Sequence, residues 1–301
     1  MEQPKSYPLL EAEFRKVCRS EASCRGYLVL LRWGKAVSCP YCNEKDKHKA
    51  WTRRGGVYKC SGCRREFRVT TGTILQGSRL TLRRWFTVIS QMVYDSDLHS
   101  VAGFKRQYFP KKLKNSVTVW RSQQKLRRLM WPSGEVLNGD VELGTFRLTS
   151  RGGTGHFVLL FVQRRHNRRG HLQLVRVADT PPATIQKCIR ENVDPAATLF
   201  GTAWKVYAPL REAGYELRRA GEEELLWISN TAKAVEEFFR ETHRGAIRAS
   251  AVDDYLNEFA FRFNARRFAK PGKIFHTLLQ RAVRPRPSAN HGVGGPVPPN
   301  P

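Results

Sequence analysis

Apolar residues recur at helical spacing over residues 8–33, where LLEAEFRKVCRSEASCRGYLVLLRW leads into a polar, turn-rich stretch. A second helical stripe runs through Leu82, Trp85, Phe86 and Ile89, with Ser78 and Thr81 as cap candidates. Two shorter helical stretches follow, Val101–Phe109 and Ser116–Met130, joined by the basic turn Phe109-Pro110-Lys111-Lys112-Leu113-Lys114-Asn115. The pattern changes at Trp131-Pro132. Beyond it LNGDVELGTFRLT, HFVLLFVQRR and HLQLVRVAD alternate or run apolar as strands do. TPPATIQKCIRENV then reads as a helix, with Thr180 its cap candidate and Pro181-Pro182 in its first turn. ATLFGTAW reads as a buried strand, WKVYAPLREAGY as a helix, and helices dominate from Ser229 to Arg267. The Pro/Gly/Asn-rich end, 285–301, has the composition of a disordered tail.

Three strands, a helix, a strand and then helices suit an α/β sheet of RNase H-like type. The expected chain is therefore multi-domain. An N-terminal helical segment spans 1–36, a small ribbon 37–70, a helical segment 71–131, an α/β RNase H-like domain 132–284 and the tail 285–301.

Four of the seven cysteines assign the ribbon. Cys39-Pro40-Tyr41-Cys42 and Cys60-Ser61-Gly62-Cys63 are two CxxC knuckles, each turning two sulfurs toward one centre. Separated by residues 43–59, they close a tetrahedral thiolate cage around structural Zn²⁺. Gly55-Gly56 is the turn of the hairpin between them. Cys18, Cys24 and Cys188 read as ordinary buried thiols, and His48 is not needed as a ligand.

Charge then changes the picture. Fifty-three Lys and Arg against 26 Asp and Glu give a formal net charge of +27. A chain with 41% hydrophobic residues folds, so this excess needs a polyanionic partner, and double-stranded DNA is the default. The expected contacts are Arg53, Arg54, Lys59, Arg64 and Arg65 in the ribbon, Lys111 and Lys112 in the basic turn, and Arg121, Lys125, Arg127 and Arg128 on the last helix. That helix is expected to turn Trp120, Leu126 and Leu129 inward, which makes the segment helix-turn-helix-like. No apolar run long enough to span a membrane exists and no secretory signal is evident, so the expected localisation is cytoplasmic, with the bacterial nucleoid.

The run CPYC…YKCSGCRREFRVTTGTILQGSRLTLRRWF resembles the start of a group of bacterial insertion-sequence transposases related to eukaryotic Merlin elements. The resemblance continues in order through SVTVWRSQQKLRRLM, LNGDVEL, VDPAATLFGTAWKVYAPLREAGYEL and ETHRG…VDDYLNEFAFRFNARR. It implies an N-terminal zinc ribbon, a helical DNA-binding segment and an RNase H-like DDE domain that cuts and joins element ends. Such chemistry uses two Mg²⁺ ions held by two Asp and a third acidic or amide residue.

Set on that pattern, Gly144 stands where the first Asp belongs and Thr202 where the second belongs; Asn230 matches the third, with Glu236 or Glu237 as a second candidate. A shifted register would instead use Asp140, with Asp179 or Asp194 as partner, although Asp140 after Asn138-Gly139 also reads as a turn residue. Glu258 reads as architectural. The resulting expectation is a transposase-family DNA-binding protein with a degenerate triad. The alternatives are an active Mg²⁺-dependent transposase, in which Mg²⁺ is a cofactor, and a general zinc-ribbon RNA-binding or transcription accessory protein. Homo-oligomerisation is left open.

Overall fold

The computed structural model describes residues 19–45, 48–51, 56–94, 116–130, 136–150, 152–165, 168–242, 247–268 and 271–285. The chain divides into two compact units. One comprises 1–97, 101–129 and 269–301; the other comprises 98–100 and 130–268. The block expected over 132–284 is therefore divided, because its last helix belongs with the N-terminal segments.

In the first unit, α1 (Glu21–Trp33) starts at a capping box in which Ser20 and Ser23 exchange side-chain-to-backbone hydrogen bonds. It ends at Gly34, whose φ of 63° suits a residue without a Cβ. The ribbon follows as an antiparallel sheet of β1 (His48–Trp51), β2 (Val57–Cys60) and β3 (Glu66–Phe67), with Trp51 opposite Val57 and Tyr58 opposite Phe67. Trp33 at the end of α1 meets Tyr58 and Phe67 edge-on at 5.6 and 5.9 Å, so α1 and the ribbon share one aromatic core.

Next comes α2 (Leu82–Tyr94), which buries the expected stripe of Leu82, Trp85, Phe86 and Ile89. Its start is capped by the expected Thr81 and, in addition, by a residue of another helix. The amides of Leu82 and Arg83 donate to the Glu21 carboxylate at 2.8 and 3.1 Å, satisfying two orphan donors from another helix. Ser78 Oγ accepts from the Leu80 amide and from Trp85 Nε1, while Thr81 Oγ1 accepts only a long bond from the Arg84 amide. After α3 (Ser116–Arg127) the unit is completed by α8 (Pro271–Val283) from the far end of the chain. Phe275 of α8 packs on Phe86, and Tyr27 Oη lies 2.8 Å from His276 Nδ1. The Val101–Phe109 stretch, Cys18 and the tail beyond 285 lie outside the described residues.

The second unit is a five-stranded sheet. Its strands are β4 (Asp140–Thr149), β5 (Gly155–Arg165), β6 (Arg168–Val177), β7 (Thr198–Gly201) and β8 (Glu216–Arg219), in the order β6-β5-β4-β7-β8. β4, β5 and β6 pair antiparallel; β7 joins β4 and β8 joins β7 in parallel. The parallel joins need crossovers: α4 (Pro182–Asn192) before β7, then the short α5 (Trp204–Tyr207) and a 3₁₀ turn before β8. Pro181, not Thr180, is the N-cap of α4, without a side-chain bond. β8 is absent from the sequence reading because ELRR carries only one buried residue.

Odd-numbered β4 positions Val141 and Leu143 face a core shared with Ile185 and Ile189 of α4. Even-numbered positions face α6 (Leu226–Glu241) and α7 (Val252–Phe268), whose Val235, Phe238, Tyr255 and Leu256 form the other core. β5 is buried on both sides, which is why it reads as an unbroken apolar run. Asn264 of α7 exchanges two hydrogen bonds with the backbone of Leu172, covering the edge strand β6.

Candidate functional site

The ribbon brings its four cysteines together. The Sγ atoms of Cys39, Cys42, Cys60 and Cys63 all lie within 4.8 Å of one another, with Cys39–Cys63 at 3.7 Å and Cys42–Cys60 at 3.6 Å. A tetrahedral cage with metal–sulfur bonds of about 2.3 Å spaces its sulfurs about 3.8 Å apart, so the set fits Zn²⁺ with no open position. The backbone amide of Cys63 is aimed at Cys60 and holds that thiol down at about 7. Burial pushes Cys39 up, to about 12, a cost that an ion between the sulfurs removes. Cys24 and Cys188 are buried and stand apart from this set.

Around the cage, Lys59, Arg64 and Arg65 are exposed, and the Arg65 guanidinium lies 5.1 Å from the centre of the Tyr41 ring. Arg53, Arg54, Lys111 and Lys112 lie outside the described residues. On α3 the expected orientation is only half right. Arg121 and Arg128 are exposed and Leu126 is fully buried. Arg127, however, is 5% exposed, and Lys125 is half-buried with its Nζ donating to the Ile74 carbonyl at 3.1 Å. Trp120, expected inside, is 40% exposed. Spacing along an amphipathic helix marks a polar side but not which of its cations a neighbouring carbonyl engages.

In the second unit one triad-matched position, Gly144, lies where α6 meets the sheet. The β4–β7 register ends at Glu142 opposite Phe200, and two residues further along each parallel strand stand Gly144 and Thr202. Across from Gly144 α6 carries Ile228; Asn230, two residues on and so about 200° around the helix, is exposed, as are Thr202 and Glu236. A Cβ built on Gly144 would fall within 3.0 Å of Ile228 Cγ2 and 3.4 Å of its Cβ and Cδ1. Isoleucine methyls fill the space that an acidic side chain at 144 would occupy. One glycine, one threonine hydroxyl and one amide do not fit Mg²⁺, which takes most of its affinity from charged carboxylates.

The other acids do not converge there. Asp140 is exposed at the start of β4, opposite Thr198 and about 13 Å along the strand from Gly144 at the usual rise. Asp179 accepts from Thr184 Oγ1 and Asp194 from the Ala196 amide, each at 2.8 Å in a local turn. Among the described residues, the four cysteines form the one group with metal-ligand spacing. Glu258 is buried and pairs with Arg262 at 2.9 Å.

Sequence reading missed the neighbours of Gly144. Glu142 is 1% exposed, and burial raises its carboxyl group while the nearby Arg164 guanidinium, 2.9 Å away, opposes that rise. Arg164 also covers the Phe200 ring at 4.0 Å and donates to the Glu224 carbonyl. A bulge between Val162 and Arg164 re-aims this side chain, and no sequence signal marks it.

Residues 19–66 match the family model of the transposase zinc-ribbon domain, and residues 138–264 match that of the ISXO2-like transposase domain. A Halobacterium salinarum protein described as an uncharacterized protein in transposable element ISH50 is 23% identical over 312 residues, covering 88% of this chain and 97% of its own length. No solved structure matches. With a four-cysteine ribbon followed in order by a mixed α/β domain, and with both modules matched, the chain belongs to the IS1595-type, ISXO2-like family of insertion-sequence transposases.

Proposed function

We propose that this protein is a DNA-binding member of its transposase family that has lost strand cleavage and strand transfer. The ribbon of residues 37–70 is folded by one structural Zn²⁺ on Cys39, Cys42, Cys60 and Cys63. With the helix-turn-helix-like segment 71–131 it holds duplex DNA at element ends, and the net charge of +27 supports that partner. The α/β unit is of RNase H type. Support comes from three antiparallel strands continued by two parallel ones, with α4 on one face and α6 and α7 on the other.

The observation that carries the loss of activity is the contact between Gly144 and Ile228. A two-metal site needs carboxylates to gather four positive charges beside a phosphodiester. Here the first matched position is filled by a hydrocarbon and the second offers a neutral hydroxyl. The test incubates the full-length, zinc-loaded protein with duplexes carrying the DNA that flanks its coding region on either side, with and without Mg²⁺. The expected result is a salt-sensitive complex and no nicked or joined product. Mg²⁺-dependent cleavage that Asp140→Asn abolishes would overturn the proposal in favour of the shifted register.

A further inference from the structure

The outward face of α3 differs in composition from the one its sequence advertises. On a helix with 3.6 residues per turn, Val117, Trp120, Arg121 and Arg128 fall on one side within about 100° of arc. All four are exposed, Val117 at 41% and Trp120 at 40%. Val119, Ser122 and Leu126 occupy the opposite side and are buried. Of the two remaining cations, Lys125 donates to the Ile74 carbonyl and Arg127 is buried.

We propose that this face of α3, centred on Trp120 and Arg121, reads base edges in the major groove of duplex DNA. The inference rests on the DNA-binding reading given above and names the side chains that would supply its sequence preference. Charge favours this occupant, since Ser116–Arg127 contains no acid and the cations beside the indole are both arginines. Geometry favours it too, because one α-helix fits a groove about 12 Å wide. Arg121 carries a planar donor pair suited to guanine O6 and N7. Val117 and Trp120 present apolar surface suited to thymine methyl groups, and the indole adds one N–H donor. Arg128, just past the last residue of the helix, contacts phosphate and carries no sequence information.

The experiment selects a preferred duplex from a random 30-base-pair pool with the full-length zinc-loaded protein. It then measures binding of that duplex, a scrambled duplex and the corresponding single strand by fluorescence anisotropy. Arg121→Ala and Trp120→Ala should each weaken the preferred duplex by about five- to a hundredfold while leaving the scrambled duplex nearly unchanged. Arg128→Ala should weaken both duplexes alike and lower the slope of log affinity against log salt by about one. Lys125→Ala should lower the melting temperature and leave the preferred-to-scrambled ratio intact. Arg121→Lys and Trp120→Phe, which keep the helix and lose the bidentate fork or the indole N–H, serve if an alanine variant misfolds.

A wild-type preference that Arg121 and Trp120 variants retain overturns the assignment and leaves the DNA-binding reading standing. Failure of the wild type to bind any duplex overturns both. Tighter binding of the single strand, lost with Trp120→Ala, makes the indole a stacking platform and overturns groove reading. Self-association that Trp120→Ala dissolves makes the face an interface between copies and overturns it as well.

Discussion

Introducing acids at both triad-matched positions, as Gly144→Asp with Thr202→Asp, should fail to create a Mg²⁺ site unless Ile228 is also reduced. Thr202 is exposed at the end of β7 and accepts a carboxylate freely. Position 144 does not. Its new Cβ would stand within 3.0 Å of Ile228 Cγ2, where ordinary van der Waals contact is 3.4–4 Å, so α6 or the isoleucine rotamer has to move. Overpacking of that kind costs about 1–3 kcal/mol. The new charge would also lie two residues along β4 from Glu142, on the same face, where burial already raises a carboxyl group. Folding experiments should therefore find the double variant destabilised by about 1–3 kcal/mol, a drop of about 2–4 °C in Tm for each kcal/mol. Calorimetric titration should find no Mg²⁺ bound at millimolar concentrations. Adding Ile228→Ala removes the obstructing methyls, and the triple variant should recover stability and bind the ion. A double variant that keeps the wild-type Tm and binds Mg²⁺ tightly would refute the argument that Ile228 occludes the position.

Replacing Cys60 by serine should abolish zinc retention, measured by elemental analysis of protein purified without chelator, and should expose Trp33 to water, seen as a red shift in tryptophan fluorescence. Glu21→Ala should destabilise the first unit by about 0.5–2 kcal/mol in urea denaturation, since it strips two amides at the start of α2 of their acceptor; an unchanged midpoint would remove Glu21 as a cap. His156 and His276 are buried, and burial lowers both below the usual histidine range. Their neutral forms are the folded ones, so stability should be constant above about pH 6.5 and fall below it by up to about 1.4 kcal/mol per pH unit for each histidine. His276→Gln should reduce that acid slope, and an identical slope would assign it to other groups.

Most of the first module was legible because its chemistry is local. Two CxxC knuckles and a glycine turn specify a ribbon whatever surrounds them, and the stripe of Leu82, Trp85, Phe86 and Ile89 specifies a helix with one buried side. The three long strands were legible because each buries alternating or continuous apolar residues over ten or so positions. What escaped depends on partners distant in sequence. Glu21 caps a helix that begins at Leu82; Arg164 depends on a bulge; β8 has too few buried residues to announce itself. Trp120 and Arg127 exchanged their expected places because a helical period fixes which residues share a side, not how far the neighbouring surfaces extend. Ile228 illustrates the limit most sharply, since its meaning comes entirely from a glycine in another element.

The return of α8 makes the first unit a test of chain completeness. Phe275, Leu278, Leu279 and Ala282 are buried on the last described helix, and α1 and α2 are long since made when that helix leaves the ribosome. At ordinary synthesis rates the interval is on the order of tens of seconds. Through it the apolar sides of Tyr27 and Phe86 wait for Phe275 and His276. A transcript cut short anywhere in the α/β unit yields a product whose amino-terminal helices lack their cover and fall to proteolysis. Only a product that extends through α8 can present a stable first unit.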